Sequence, residues 1–202
     1  MLEIITGFKD EDFFNNVNLH IHSNLSDGIY DFDDLVEQAL KKNLKHISIT
    51  DHNCVEGYRK TKHKDCPILI KGVEFDCIYR LTLLHVLGYG IDIENEKINS
   101  LCSNDKNDFV RILKSRNPKK VIEAIHDAGG IAVLAHPCCC NTFNLDKFVK
   151  KLVDMGLDGI ETHYPYDRFR GIVKFHSRKI PPAIAKKYNL VQTGGTDEHG
   201  ML

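Results

Sequence analysis

Seven short apolar segments recur along this chain, with amphipathic stretches between most of them. They are VNLHI (17–21), HISIT (46–50), ILIKGVEF (68–75), TLLHVLGYG (82–90), IAVLA (131–135), LDGIE (157–161) and LVQTG (190–194). Segments of this length and composition suit buried strands. The stretch DFDDLVEQALKKN (31–43) places Phe32, Leu35, Val36, Ala39 and Leu40 at helical spacing, with Asp31 as a cap. Further helices are expected at 95–102, from Pro118 to about Gly129, at 144–155 and at 181–188. Strands alternating with helices predict βα units and a mostly parallel sheet. A dinucleotide-binding reading fails, because no GxGxxG joins a strand to a helix.

The 202 residues suit one well-cored domain. Lys and Arg number 27 against 28 Asp and Glu, so there is no basic footprint and long nucleic acid is disfavoured as a partner. No run approaches the 18 or so apolar residues of a membrane span. The N-terminus lacks a basic region followed by an apolar core, which argues against a signal peptide. Seven cysteines without CxxC pairs, three of them adjacent at Cys138, Cys139 and Cys140, fit reduced thiols and a cytoplasmic setting. Eleven histidines with no tryptophan direct attention to metal chemistry.

The histidines and carboxylates fall at segment ends. Strand alternation puts His20 and His22 on one side, with Leu19 and Ile21 on the other. His52 follows the second segment and Glu74 closes the third. His136 follows the fifth, Glu161 closes the sixth, and Asp197 and His199 follow the seventh. Each has a plain structural reading. HxH is often a packing feature, Ser-Asp-Gly at 26–28 a turn, Asp51 a cap, and Glu74 a solvated edge carboxylate. His85 differs, because an imidazole inside an apolar strand needs partners. A parallel α/β arrangement gathers strand ends on one face, and there the groups act together. Histidine with carboxylate and no paired thiols suits Zn, Mn or Fe, in numbers too high for one ion.

In this order, H-x-H, S-D-G, T-D-H, G-V-E, the lone His before LGYG, A-H-P and a final G-T-D-E-H-G resemble the polymerase-and-histidinol-phosphatase (PHP) superfamily of metal-dependent phosphoesterases. The resemblance runs from residue 18 to 200. It implies one domain over 1–202 with a distorted (β/α)7 TIM-like barrel and a trinuclear metal centre. It assigns a first ion to His20, His22, Glu74 and Asp197. A second ion takes Glu74 as a bridge, with His85 and His136, and a third takes Asp27, His52 and His199. The implied chemistry is hydrolysis of a small phosphorylated metabolite or nucleotide, including sugar or amino-alcohol phosphates. Metal-bound water, its pKa lowered toward about 7, supplies hydroxide for attack on phosphorus. Asp51 is expected to orient an imidazole. His163, Arg168 and Arg170 are candidates for the phosphate, with solvated loop charge as the alternative for the arginines.

A non-catalytic, metal-stabilised PHP module is the other functional class to weigh. Members that act on nucleotides commonly follow A-H-P with Gly-Arg. Here the cysteine triplet stands in that place, either as a small-residue loop or as an extra soft ligand beside the second ion. The chain ends two residues after GGTDEHG, so a shortened barrel or a homo-oligomer partner is expected at the final edge.

Overall fold

The computed structural model describes residues 2–103, 115–167 and 173–202. Among these, seven strands overlap the seven apolar segments: β1 (Val17–Ile21), β2 (His46–Ile49), β3 (Gly72–Tyr79), β4 (Thr82–Tyr89), β5 (Ile131–Leu134), β6 (Gly159–His163) and β7 (Val191–Gly194). The helices are α1 (Leu2–Thr6), α2 (Phe32–Lys41), α3 (Glu56–Lys60), α4 (Glu96–Leu101), α5 (Pro118–Asp127), α6 (Leu145–Val153) and α7 (Ile180–Tyr188). Asp31 caps α2 by accepting from the Asp33 backbone N–H, as its sequence position predicts. No described helix is long and apolar enough to cross a membrane.

β1 and β2 form a parallel pair, and β3-β4-β5-β6-β7 form a second sheet in that order. The expectation of a mostly parallel sheet holds for β1–β2, β5–β6 and β6–β7. It fails at β4, which runs antiparallel to both β3 and β5. The cause is local. β3 continues past Phe75 to Tyr79, leaving only Arg80 and Leu81 before β4, and both have positive φ (49° and 64°). A two-residue turn of this kind joins only antiparallel neighbours.

The fold is therefore mixed α/β. Isolated bridges link the two sheets at Ile47–Leu69 and His52–Glu74, and Ile21 to Glu198 beyond β7. The strand ladder itself does not close.

Register explains where the chemistry sits. Glu74 lies opposite Leu87 and Asp76 opposite His85, while Leu87 lies opposite Val133 and Tyr89 opposite Ile131. Directly paired residues share a sheet face, and so do alternate residues of a strand. One face of β3–β4–β5 thus runs from apolar Tyr89, Leu87, Ile131 and Val133 to polar His85, Glu74 and Asp76. On the opposite face Val73, Phe75, Val86, Ala132 and Leu134 join the main core with Val121, Ile122 and Ile125 of α5 and Val149 and Leu152 of α6. β1 departs from strict alternation. Its register against β2 shifts between Asn18 and Ile21, so Leu19 and Ile21 enter different core clusters.

Candidate metal centre

The ligand candidates are delivered by the strands, by the loops that follow them and by backbone fitted tightly between them. The Asp197 N–H donates to the His20 carbonyl (2.8 Å), and the His22 N–H donates to the Glu198 carbonyl (2.9 Å). Gly195 lies so close to His20 that a Cβ there would collide with that residue's backbone, and Gly28 lies equally close to the His22 carbonyl. These two approaches press the Asp197–His199 loop and the Asp27 turn against β1. Asp197 (φ 50°) and His136 (φ 25°) both occupy left-handed backbone, a strained state that recurs at functional sites.

Four donor groups result among the described residues, two of them meeting at Glu74 and one formed by His52, Asp76 and His85. Glu74 Oε2 lies 3.1 Å from Nε2 of both His20 and His22, and Asp197 Oδ1 lies 3.3 and 3.0 Å from the same two nitrogens. Glu74 Oε1 lies 2.9 Å from His85 Nδ1 and 3.1 Å from His136 Nε2, which are themselves 3.2 Å apart. In the third group Asp27 approaches His199 Nε2 (3.4 Å), His22 Nδ1 (3.6 Å) and His52 Nε2 (3.7 Å). No cysteine joins any of these groups among the described residues.

The donors fit divalent cations. Zinc bonds to nitrogen and oxygen of about 2.0–2.2 Å hold neighbouring donors about 3.0–3.5 Å apart, which is the spacing seen in the first two groups. His22 Nε2 is buried and has no hydrogen-bond partner, although two carboxylate oxygens lie beside it. His85 Nδ1 and His136 Nε2 converge on one oxygen instead of separating. An ion between such atoms satisfies all of them at once.

Surrounding side chains fix which atoms face inward. Buried Glu161 accepts from His20 Nδ1 (3.1 Å) and from the His136 backbone N–H (2.7 Å). Because a carboxylate only accepts, His20 carries its proton on Nδ1 and turns Nε2 to the site. The Asp197 carbonyl fixes His199 in the same way, 2.8 Å from Nδ1. The Tyr164 hydroxyl donates to Asp197 Oδ2 (2.7 Å), leaving Oδ1 for the histidines. Asp76 Oδ1 lies 3.0 Å from His52 Nδ1 and 3.3 Å from His85 Nε2.

Charge follows from this packing. Burial alone disfavours an imidazolium, but neighbouring carboxylates override it. His22 is raised to about 10 beside Asp197 and Glu74, and His136 to about 9 through Cys139 and Glu74. His20, His85 and His199 are also raised. Burial prevails at His52, whose pKa falls. Burial likewise opposes charge on Glu74 and Asp197, yet their imidazole neighbours hold both well below the ordinary carboxylate range.

The structure brings His20, His22, Asp27, His52, Glu74, His85, His136, Asp197 and His199 into these abutting groups. Asp51 sits elsewhere than expected. It accepts from the Ser23 N–H and hydroxyl (2.7 Å each) and the Ser26 hydroxyl (2.9 Å), so it secures the 22–28 turn and reaches His22 Nδ1 only through Ser26 Oγ at 3.4 Å. His163, expected near the phosphate, instead stacks on Phe13 (ring centroids 4.7 Å apart) with Nε2 3.5 Å from Asp10. The β6–β7 register shift between Glu161 and His163 is the local cause. Arg168 and Arg170 lie outside the described residues.

Asp76, Glu161 and Tyr164 were not assigned roles from sequence. Asp76 lies two residues beyond Glu74 on the same face of β3, and Glu161, like Glu74, is the third residue of its strand. Tyr164 carries no comparable signal. The groups open into a cleft of about 280 Å3 lined by His52, Glu74, His85, His136, Cys139, Tyr164, Asp197 and His199. A larger cavity of about 610 Å3, lined by residues such as Ile5, Phe13 and Tyr188, contains none of the donor residues.

Fold and site together define an α/β protein whose strand-end histidines and carboxylates are arranged to hold divalent cations. The chain belongs to the PHP domain family, whose model matches residues 18–165. It is 23% identical over 254 residues to a phosphoribosyl 1,2-cyclic phosphate 1,2-diphosphodiesterase of Eggerthella lenta, covering 91% of this chain and 94% of that protein. It is 26% identical over 252 residues to a 5'-3' exoribonuclease of Haemophilus influenzae, covering 90% and 89%. A structure from Bifidobacterium adolescentis, described as a metal-dependent phosphoesterase, superposes with a TM-score of 0.74 at 21% identity, covering 92% of this chain and 88% of that one. At that identity the likeness is one of fold.

Proposed function

We propose that this chain is a metal-dependent hydrolase of small phosphoesters, a phosphorylated metabolite or a nucleotide, with two to three Zn, Mn or Fe ions in the donor groups. The observation that carries the reading is the division of Glu74, with Oε2 among His20, His22 and Asp197 and Oε1 between His85 and His136. Two cations a few ångströms apart need a shared anion to limit their repulsion, and a buried glutamate with both oxygens engaged supplies it.

His20, His22, Glu74, Asp197, His85 and His136 hold the first two ions in this reading, and Asp27, His52 and His199 hold the third. Bound there, such ions supply positive charge to phosphoryl oxygens and acidify water. Among the described residues lining the cleft there is no Lys or Arg, while Glu74 and Asp197 are negative. A phosphate dianion therefore finds no Lys or Arg there, and bound cations would supply the positive charge that the imidazoles give up when they lose their protons to ligate metal. Glu161, Tyr164 and the Asp197 carbonyl keep the donor atoms aimed, so the site is organised before substrate arrives. The isolated bridges at Ile47–Leu69, His52–Glu74 and Ile21–Glu198 support the distorted (β/α)7 barrel expected of the family, with β4 reversed, in a single domain.

The test is hydrolysis of an aryl phosphate, nucleotides and sugar phosphates by protein loaded with Mn or Zn, with His20→Ala and chelated protein as controls. Turnover lost in both controls supports the reading. Tight metal binding without turnover on any ester favours a structural module instead.

A further inference from the structure

We infer that the organic part of the substrate carries a flat apolar ring, seated in a pocket beside the metal cleft formed by Leu81, Leu83, Cys139, Asn141, Val173 and Phe175. The inference rests on the phosphoester reading above and specifies which esters that site accepts.

The pocket, about 390 Å3, adjoins the cleft through Cys139, which lines both. Its walls are tied to one turn. The Thr82 hydroxyl donates to the Asn141 carbonyl (3.1 Å), fixing the β3–β4 hairpin. The Phe175 N–H donates to the Cys138 carbonyl (2.9 Å), fixing the segment that carries Val173. That turn directly follows His136, so pocket and donor groups share one piece of backbone.

The wall chemistry selects the occupant. Leu81 is 92% exposed, and Leu83, Val173 and Phe175 are exposed as well, an apolar patch at the mouth of a polar site. Among the described residues no Lys, Arg, Asp or Glu lines the pocket. Leucines from the hairpin and Val173 with Phe175 from another segment offer apolar surfaces to a ring, and the Asn141 amide offers the polar contact. A nucleobase and a simple aryl group share this chemistry.

The experiment measures binding of phenylphosphonate and 1-naphthylphosphonate, neither hydrolysable, to the Mn-loaded protein by calorimetry, alongside turnover of the two matching phosphates. The expected result is about tenfold tighter binding of the naphthyl compound, the scale of discrimination an apolar pocket gives. Leu81→Asp and Phe175→Ala should each abolish the preference, weakening the naphthyl compound more than phenylphosphonate. Asp tolerates the positive φ at position 81 better than Leu does, so the hairpin is preserved. Equal affinity for the two compounds in the wild type, or a preference that survives both substitutions, overturns the proposal. So does a dimer that Leu81→Asp converts to monomer with phosphonate binding unchanged, because a second copy then occupies the face. Ring preference without turnover of either phosphate retains the pocket and rejects the hydrolase. Failure of both phosphonates to bind rejects both.

Discussion

Replacing Glu161 with Gln tests whether the donor atoms are held in place from behind. Glu161 is fully buried and accepts two hydrogen bonds, from His20 Nδ1 at 3.1 Å and the His136 backbone N–H at 2.7 Å. Gln keeps the shape and one accepting oxygen, but its NH2 group now faces the other donor. One buried donor loses its partner, at about 1–3 kcal/mol. For a chain of this length that lowers Tm by roughly 2–12 °C, with about 2–4 °C for each kcal/mol. His20 also loses the carboxylate that fixes its tautomer, so metal affinity falls about 10- to 100-fold, as for other partners of metal-bound histidines. Thermal melts of chelated protein measure the first effect, and calorimetric titration with Zn or Mn measures the second. A variant that melts lower but binds metal like the wild type refutes the orienting role of Glu161 and leaves it a packing residue.

Glu74→Gln keeps the volume of the shared carboxylate but not its charge. At least one ion per chain should be lost by elemental analysis, along with all turnover; unchanged metal content would contradict the bridging role. Asp76→Asn removes the negative charge beside His52 and His85 and should weaken metal binding roughly 10-fold with the fold intact, read by titration and circular dichroism. Asp51→Ala strips three hydrogen bonds from the 22–28 turn and should cost about 1–3 kcal/mol in urea denaturation, since Ser23 and Ser26 lose a buried acceptor.

Chelated protein should show a pH profile set by the same cluster. His22 and His136, raised from 6.5 to about 10 and about 9, contribute stability that is full below pH 6.5 and lost as pH rises through those values. Glu74 and Asp197, depressed from 4.5 and 3.8, contribute stability present above those values and lost in acid. Metal-free melting temperatures should therefore peak between about pH 4.5 and 6.5 and decline toward pH 10, while metal affinity rises over that range as protons leave the imidazoles. A flat melting profile from pH 6 to 10 would count against the coupling.

The elements legible in the sequence were those with period and punctuation of their own. Each of the seven apolar segments overlaps a strand, although only the second half of 68–75 lies in β3, and Asp31 caps its helix, because apolar runs and caps are local signals. Most of the nine donor candidates end a strand or follow one, while Glu74 and His85 lie inside β3 and β4, whose pairing puts them on one sheet face. The reversal of β4 was hidden, since the turn that enforces it uses Arg80 and Leu81 at positive φ, where Gly or Asn is the usual marker. His163 was misplaced for a related reason. A register shift after Glu161 turns the ring onto Phe13, and shifts of this kind depend on the neighbouring strand, not on the residue itself. Asp51 holds Ser23 and Ser26 and not an imidazole, because those partners come from a turn whose path no spacing rule specifies.

In the proposed reading Glu74 divides one cluster of donors between at least two cations. Elemental analysis of protein purified from metal-supplemented medium, with anomalous diffraction at the metal edges, tests it most directly. Two to three ions per chain are expected, with one anomalous peak on each side of the Glu74 carboxylate. A single peak, or less than one ion per chain, would contradict it.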